Sequence, residues 1–306
     1  MFSIRRIERS TALAVEPLGS KPKFWFTDEG QERFLFKADD RGTGEDWAEV
    51  VASRLCRRLG LPHVEYELAE EWNEGRFVLP GVVCANMSPP PSSLVLGNQL
   101  LLERDPDYPK EQRFKVRKYT IDAVTSIVET LALPDASWFP NPPPEVRSAL
   151  DVFVGYVMLD AWIANQDRHH ENWAAIRRSD ELRLAPTFDH GAALARNLTD
   201  AERQNRLATN DRQRTIEAFA RRARSAFYAD EDAVKPLATI DAFRRFASKN
   251  PVGTKYWIDR LTGIATDAIR DMLEEVPPQR MSPATREFTL KLLTANRELL
   301  LQDRLP

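Results

Sequence analysis

Cysteine is nearly absent from this chain of 306 residues, which has only Cys56 and Cys84. That excludes a disulfide framework and a cysteine-rich zinc module, and it suits a reducing compartment, so a cytoplasmic location is expected. Long apolar runs are also lacking. The best, residues 149–164, is interrupted by Asp151 and Asp160, so no membrane span is expected. Glu8 and Glu16 interrupt the stretch after Arg5 and Arg6, and no secretory signal peptide is expected. An excess of charge is missing too: 43 Lys+Arg against 46 Asp+Glu give a net charge of −3. Coating of nucleic acid through bulk charge is excluded, and no direct nucleic-acid binding is expected. There is no solenoid-period repeat. With 42% hydrophobic and 29% charged residues, the composition is that of a folded globular protein. At roughly 150 residues per domain, the length allows about two domains or lobes.

What is there divides into two halves. Residues 23–27 (KFWFT) and 33–37 (RFLFK) are aromatic-rich strands around the Gly-containing turn 28–32, a hairpin signal. In 45–59, Trp47, Val50, Val51, Leu55 and Leu59 recur at helical spacing, and Gly60 and Pro62 end the helix. Residues 63–68 and 76–84 read as strands. The run 87–93 (MSPPPSS) breaks the pattern and marks a boundary, giving lobes of residues 1–90 and 91–306. Beyond it helices dominate, with expected spans 121–133, 144–164, 211–228, 239–248, 254–275 and 282–302, and a further helix start at 200–202. The 144–164 helix is apolar on most faces and therefore central. A short hairpin, 173–176 and 182–184, interrupts the helices. The fold class is α+β.

The chemistry concentrates at that interruption. Three of the four histidines, His169, His170 and His190, lie within one short stretch. It begins Asn165-Gln166-Asp167-Arg168-His169-His170-Glu171-Asn172 and ends Thr187-Phe188-Asp189-His190-Gly191. Phosphoryl transfer needs a group to orient or deprotonate the attacking hydroxyl and a divalent metal to neutralise phosphate charge. On an extended loop Asp167 can face the acceptor hydroxyl while Asn172 turns to the metal, and Asp189 supplies a second metal ligand. Mg²⁺ takes few protein oxygens beside phosphate and water, so an Asn and an Asp suffice. Gly191 is expected to let the backbone turn sharply after Asp189. His169 either supports the loop by hydrogen bonding or takes part in the chemistry. The basic residues Arg206, Arg212, Arg214, Arg221, Arg222 and Arg224 read as a solvated helix face after Asp189.

The string D-R-H-x-x-N, followed by D-x-G, resembles the atypical kinases. The fuller pattern, an apolar helix leading into N-x-D-x-H-x-x-N and then L-A-P-x-x-D, is most similar to the HipA-like serine/threonine kinases. The resemblance covers most of residues 18–194 in order, with a helical tail of fitting length. It implies a two-lobed atypical protein-kinase-like fold with a small β-rich N-lobe and a larger helical C-lobe. It further implies ATP and Mg²⁺ as cofactors, Asp167 as catalytic aspartate, and Asn172 and Asp189 as metal ligands. Lys37 would contact the ATP phosphates, with Glu49 as its partner. Gly19, Ser20 and Lys23 fall in a stretch similar to the family's G-x-x-x-K phosphate loop, and Ser20 is a candidate autophosphorylation site. A protein substrate and an antitoxin-type partner are implied as well.

There is no G-x-G-x-x-G before Lys37, no H-R-D and no D-F-G, so an ordinary protein kinase does not fit; nor is there a P-loop. Phosphoinositide kinases share D-R-H-x-x-N, which leaves a lipid headgroup as the alternative acceptor. A metal-dependent phosphohydrolase using Asp167, His169, His170, Asp189 and His190 is a second reading. A nucleotide-binding module without turnover is a third. Cys56 and Cys84 are expected to be buried free thiols.

Overall fold

The computed structural model describes residues 1–15 and 22–302. Gly19 and Ser20, the expected phosphate-loop residues, lie outside the described residues. The first part of the chain forms β1 (Ile4–Glu8), β2 (Ala12–Val15), β3 (Lys23–Thr27), β4 (Arg33–Ala38), helix α1 (Glu45–Leu59), β5 (Glu67–Asn73) and β6 (Arg76–Ala85). The six strands make one sheet in the order β1-β5-β6-β4-β3-β2, with β1 parallel to β5 and the other pairs antiparallel. The 63–68 strand is a correction. Pairing begins only at Glu67, and His63 makes an isolated bridge to Thr187 across the cleft.

Alternation along these strands sorts the side chains onto two faces. Phe24, Phe26, Phe36, Ala38, Ala69 and Val83 form an apolar cluster on one face. Leu35, Leu68, Val82 and Cys84 turn to the other, against Val50 of α1 and against Ala174, Ala185 and Phe188. Lys37 follows Phe36 and precedes Ala38, so it shares this second face. At Gly81 an added Cβ would lie 2.2 Å from the Lys37 carbonyl oxygen. Glycine there lets β6 approach β4 closely beside that lysine.

A second sheet of three antiparallel strands joins β7 (Ser93–Leu96), β8 (Ala174–Arg178) and β9 (Glu181–Leu184) in that order. The remaining elements are helices: α2 (Gly97–Arg104), α3 (Ile121–Val128), α4 (Ala149–Trp162), α5 (Asp200–Ala208), α6 (Ile216–Arg222), α7 (Thr239–Lys249), α8 (Pro251–Thr262), α9 (Thr266–Glu274) and α10 (Pro283–Gln302). Every residue of α4 is buried. It starts at a capping box in which Ser148 and Asp151 exchange hydrogen bonds, and it packs against α3, α7, α8 and α10. The expected 211–228 helix is shortened to α6, and the expected 254–275 helix is two helices, α8 and α9, broken at Gly263.

Arginines from the helical lobe hold α1 at both ends. Arg280 donates to Asp46 at 3.0 Å and to the Ala69 carbonyl at 3.2 Å, and Arg196 pairs with Glu45. Arg260 donates to the last carbonyls, Arg58 and Leu59, both at 3.0 Å. Those carbonyls have no partner within the helix, so a guanidinium there satisfies both valence and dipole. The side chains on α1 that face the cleft are thereby fixed in place. No helix among the described residues is long and apolar enough to cross a membrane. Both cysteines are buried and free, and burial pushes the Cys84 thiol up to about 12.

Candidate active site

Three elements converge on one ion-paired cluster. Lys37 of β4 is buried, and its Nζ lies 2.7 Å from Glu49 Oε1 of α1 and 2.7 Å from Asp189 Oδ1, which follows β9. Burial works against the ammonium charge, but Asp189 and Glu49 outweigh it and hold the Lys37 pKa well above its ordinary value. The second Glu49 oxygen accepts the His190 backbone N–H at 2.8 Å, so α1 is tied directly to the residue after Asp189. Asp189 has a φ of +58° and makes the turn itself. This corrects the expectation that Gly191 bends the chain: Gly191 is not left-handed. Its missing side chain instead admits Glu49, since an added Cβ would meet Glu49 at 3.4 Å. A non-glycine residue at positive φ is uncommon, and Asp tolerates it better than most.

Lys23 lies directly opposite Lys37 in the β3–β4 register, and so on the same face of the sheet. Tyr66 completes this corner, with its ring 5.4 Å from the Lys37 ammonium and its hydroxyl 3.4 Å from the Asp189 backbone nitrogen.

The 163–173 loop leaves α4 and carries the other candidates. The Asp167 backbone N–H donates to Asn165 Oδ1 at 3.1 Å, and Asn172 Nδ2 donates to the Asp167 carbonyl at 2.7 Å. These bonds close the loop between two residues five apart and leave the Asp167 carboxylate 29% exposed. They also fix the Asn172 amide. Its nitrogen is committed, and among the described residues its Oδ1 accepts no hydrogen bond. An amide oxygen and a carboxylate form an all-oxygen donor set that suits Mg²⁺ or Mn²⁺.

Arg168 explains why the loop holds this shape. Buried in the interior, it donates to both oxygens of Asp160 on α4, at 2.8 and 2.9 Å. It also donates to the Asn172 carbonyl at 2.7 Å and to Thr187 Oγ1 at 2.9 Å. One side chain thus fastens helix, loop and the strand leading to Asp189. Asn165 adds a 2.7 Å bond to Asp160. Sequence reasoning named neither Asp160 nor Arg168. The available signal was a carboxylate inside an otherwise apolar helix, which must be paired when buried.

The three clustered histidines are held neutral. Burial and the nearby Arg113 push His169 down to about 3 and His170 to about 4, and burial with Arg168 pushes His190 well below its ordinary value. His190 Nε2 lies 2.9 Å from Thr187 Oγ1, and His170 Nδ1 lies 2.8 Å from the Tyr108 hydroxyl. Both are therefore committed to the scaffold. His169 alone lies beside Asp167, 3.7 Å from its carboxylate. Among the described residues no three His, Cys, Asp or Glu side chains are grouped to hold a metal ion.

Arg113, from the segment between α2 and α3, also escaped sequence reasoning. Its guanidinium stands 3.9 Å from Asp167 and 3.7 Å from Glu171. Nothing in a loop without periodicity announced that contact.

A β-rich region followed by a helical region is a kinase-like fold. Two solved structures share it. Over 96% of this chain and 94% of theirs, the chain is similar to the Helicobacter pylori proinflammatory kinase CtkA, with a TM-score of 0.67 and 21% identity. It is also similar to HipA of the Shewanella oneidensis MR-1 toxin–antitoxin system, solved with HipB and operator DNA, with a TM-score of 0.54 and 12% identity. That match covers 95% of this chain and 65% of that chain. No family model and no curated protein matches the sequence.

Proposed function

We propose that the protein is an ATP- and Mg²⁺-dependent kinase of the HipA-like type that phosphorylates serine or threonine hydroxyls of a protein. The observation that carries this is the single ammonium of Lys37 held at 2.7 Å by both Glu49 and Asp189, with the Asp167–Asn172 loop closed beside it. A lysine pinned by a helix carboxylate is what a nucleotide triphosphate needs for contact with its phosphates. Asn172 and Asp189 would hold the divalent ion, which neutralises phosphate charge when bound.

The reaction then needs little covalent help from the protein. Asp167 accepts a hydrogen bond from the acceptor hydroxyl and takes its proton as the oxygen attacks the γ-phosphorus. The bond from the γ-phosphorus to the bridging β–γ oxygen breaks, and the products are ADP and a phosphoester. His169, neutral at physiological pH, lies 3.7 Å from Asp167 and carries no charge that competes with it. Arg168 positions the loop and stays out of contact with the reacting atoms.

Titration of ATP with and without Mg²⁺, read by melting shift, tests the cofactor reading. Stabilisation by Mg²⁺–ATP that exceeds that by ATP alone, and that is lost on Asp189→Ala, supports it. No stabilisation by ATP under either condition contradicts it.

A further inference from the structure

Arg113 is a partly exposed cation set beside the proposed base, ion-paired with Asp167 and Glu171 only at 3.9 and 3.7 Å. The segment that carries it is fastened to the 163–173 loop at several points. The Tyr108 hydroxyl meets His170 at 2.8 Å, the Tyr119 hydroxyl donates to the Arg168 carbonyl at 3.1 Å, and Asn98 donates to the Lys110 carbonyl at 3.1 Å. Arg113 Nε points at His169 Nε2 from 2.9 Å, while the Glu171 backbone N–H points at His169 Nδ1 from 3.1 Å. A neutral imidazole has one accepting nitrogen, so it can serve only one of these donors. Arg113 makes the shorter contact, so the imidazole accepts from Arg113 Nε, and the terminal guanidinium nitrogens make no hydrogen bond among the described residues. Ion pairing with Asp167 and Glu171, at 3.9 and 3.7 Å, adds to this hold beyond hydrogen-bond distance. Its side chain is 35% exposed, and the planar donor fork stands open to an arriving anion.

A second basic segment contacts the same loop. Gln166 Oε1 accepts the Arg224 backbone N–H at 3.3 Å, which seats residues 216–224 against the loop. The inner face of α6, Ile216 and Ala220, clusters with Ala164 and Ala223. Arg221, Arg222 and Arg224 are exposed beyond it and form no ion pair among the described residues. Lys115 and Arg117, near Arg113, are likewise exposed and form no ion pair among the described residues. These charges contrast with a chain whose net charge is −3.

Resting on the kinase reading, we propose that the phosphate acceptor is an acidic polypeptide segment, a serine or threonine flanked by Asp or Glu. Arg113 reads a carboxylate on one side of the acceptor residue, and Arg221, Arg222 and Arg224 read those on the other. Arg113 is the specificity-determining residue because its guanidinium stands 3.9 Å from Asp167 and is partly exposed. The basic side chains lie on two separate segments that both contact the 163–173 loop, a spread that suits an extended polypeptide better than a headgroup entering a pocket.

Three peptides sharing one serine, flanked by Glu, Ala or Lys, test this with Mg²⁺–ATP. Labelling and peptide affinity are measured for the wild type, for Arg113→Glu and for Arg221→Glu/Arg222→Glu. The wild type should prefer the Glu-flanked peptide over the Ala-flanked one by roughly tenfold in kcat/KM, the scale of one charge-assisted contact, and the preference should fade with salt. Arg113→Glu should reverse the order in favour of Lys flanks, with the KM for ATP unchanged. Equal use and equal binding of all three peptides overturns the proposal, as does an acidic preference that survives Arg113→Glu. Preferential labelling of phosphatidylinositol in phosphatidylcholine vesicles overturns it in favour of a lipid acceptor. ATP turnover is followed in the same samples: if it is absent with every acceptor, the kinase reading itself fails and this proposal with it.

Discussion

Lys37 and Asp189, 152 residues apart in sequence, meet at 2.7 Å in the cleft between the lobes. Glu49 holds the same ammonium at the same distance, so one lysine charge sits between two carboxylates from opposite lobes. Removing that charge leaves Glu49, buried, facing Asp189, which is 30% exposed. Lys37→Met should lower stability by about 3 kcal/mol, the lower end for breaking a buried pair, because Asp189 is partly hydrated. Nucleotide affinity should fall by more than about tenfold, since a phosphate contact is lost. Adding Glu49→Gln should restore much of the stability and none of the ATP affinity. Urea unfolding and nucleotide titration of the single and double variants check both halves.

Arg168 makes a different prediction, because it acts on the shape of the loop. Arg168→Ala strands the buried Asp160 carboxylate and frees the Asn172 carbonyl and Thr187. The expected cost is about 3–5 kcal/mol. If Asp160→Asn is combined with it, the double variant should be more stable than Arg168→Ala alone, because no unpaired buried charge remains. A double-mutant cycle by chemical denaturation measures this; strictly additive losses would show that the two side chains are not coupled.

Acid should destabilise the protein earlier than carboxylate titration alone would. All four histidines, His63, His169, His170 and His190, have folded-state pKa values pushed below their ordinary value, chiefly by burial. In the unfolded chain they take up protons near pH 6.5, and in the folded protein they do not. Their contribution is therefore present above pH 6.5 and lost as pH falls, with His170 holding out to about 4 and His169 to about 3. Asp46, raised to about 6 by burial against the pull of Arg280, and Glu49, raised by burial against the pull of Lys37, have the opposite sign but are two groups against four. The Tm measured without nucleotide should fall from pH 7.5 to pH 5, and a flat profile would contradict this reading.

Local chemistry was legible and long-range pairing was not. Asp167, Asn172 and Asp189 were singled out because phosphoryl transfer restricts residue type and spacing, while Lys37 and Glu49 were expected from the resemblance to the HipA-like kinases; the structure brings Lys37, Glu49 and Asp189 together. Strand β1 was missed: its sequence Ile-Arg-Arg-Ile-Glu alternates weakly, and its parallel partner β5 lies far along the chain. Strand β7 was missed because it follows the proline run and pairs with β8 far downstream. Helix 254–275 was read as continuous because apolar residues keep their period across Gly263, where Ile264 turns inward instead of propagating the helix. The role of Arg113 depends on where an aperiodic loop lands, which only the assembled lobe determines.

Incubating the wild type and Asp167→Asn side by side with γ-labelled ATP and Mg²⁺ tests the central claim most directly. Asp167 holds the loop chiefly through its backbone, its partly exposed carboxylate meeting Asn172 Nδ2 only at 3.5 Å, so the isosteric substitution should preserve the fold and the ATP-induced melting shift. The account predicts label on the wild type, located by mass spectrometry of the protein, and none above background on the variant. Equal labelling of the two would contradict it.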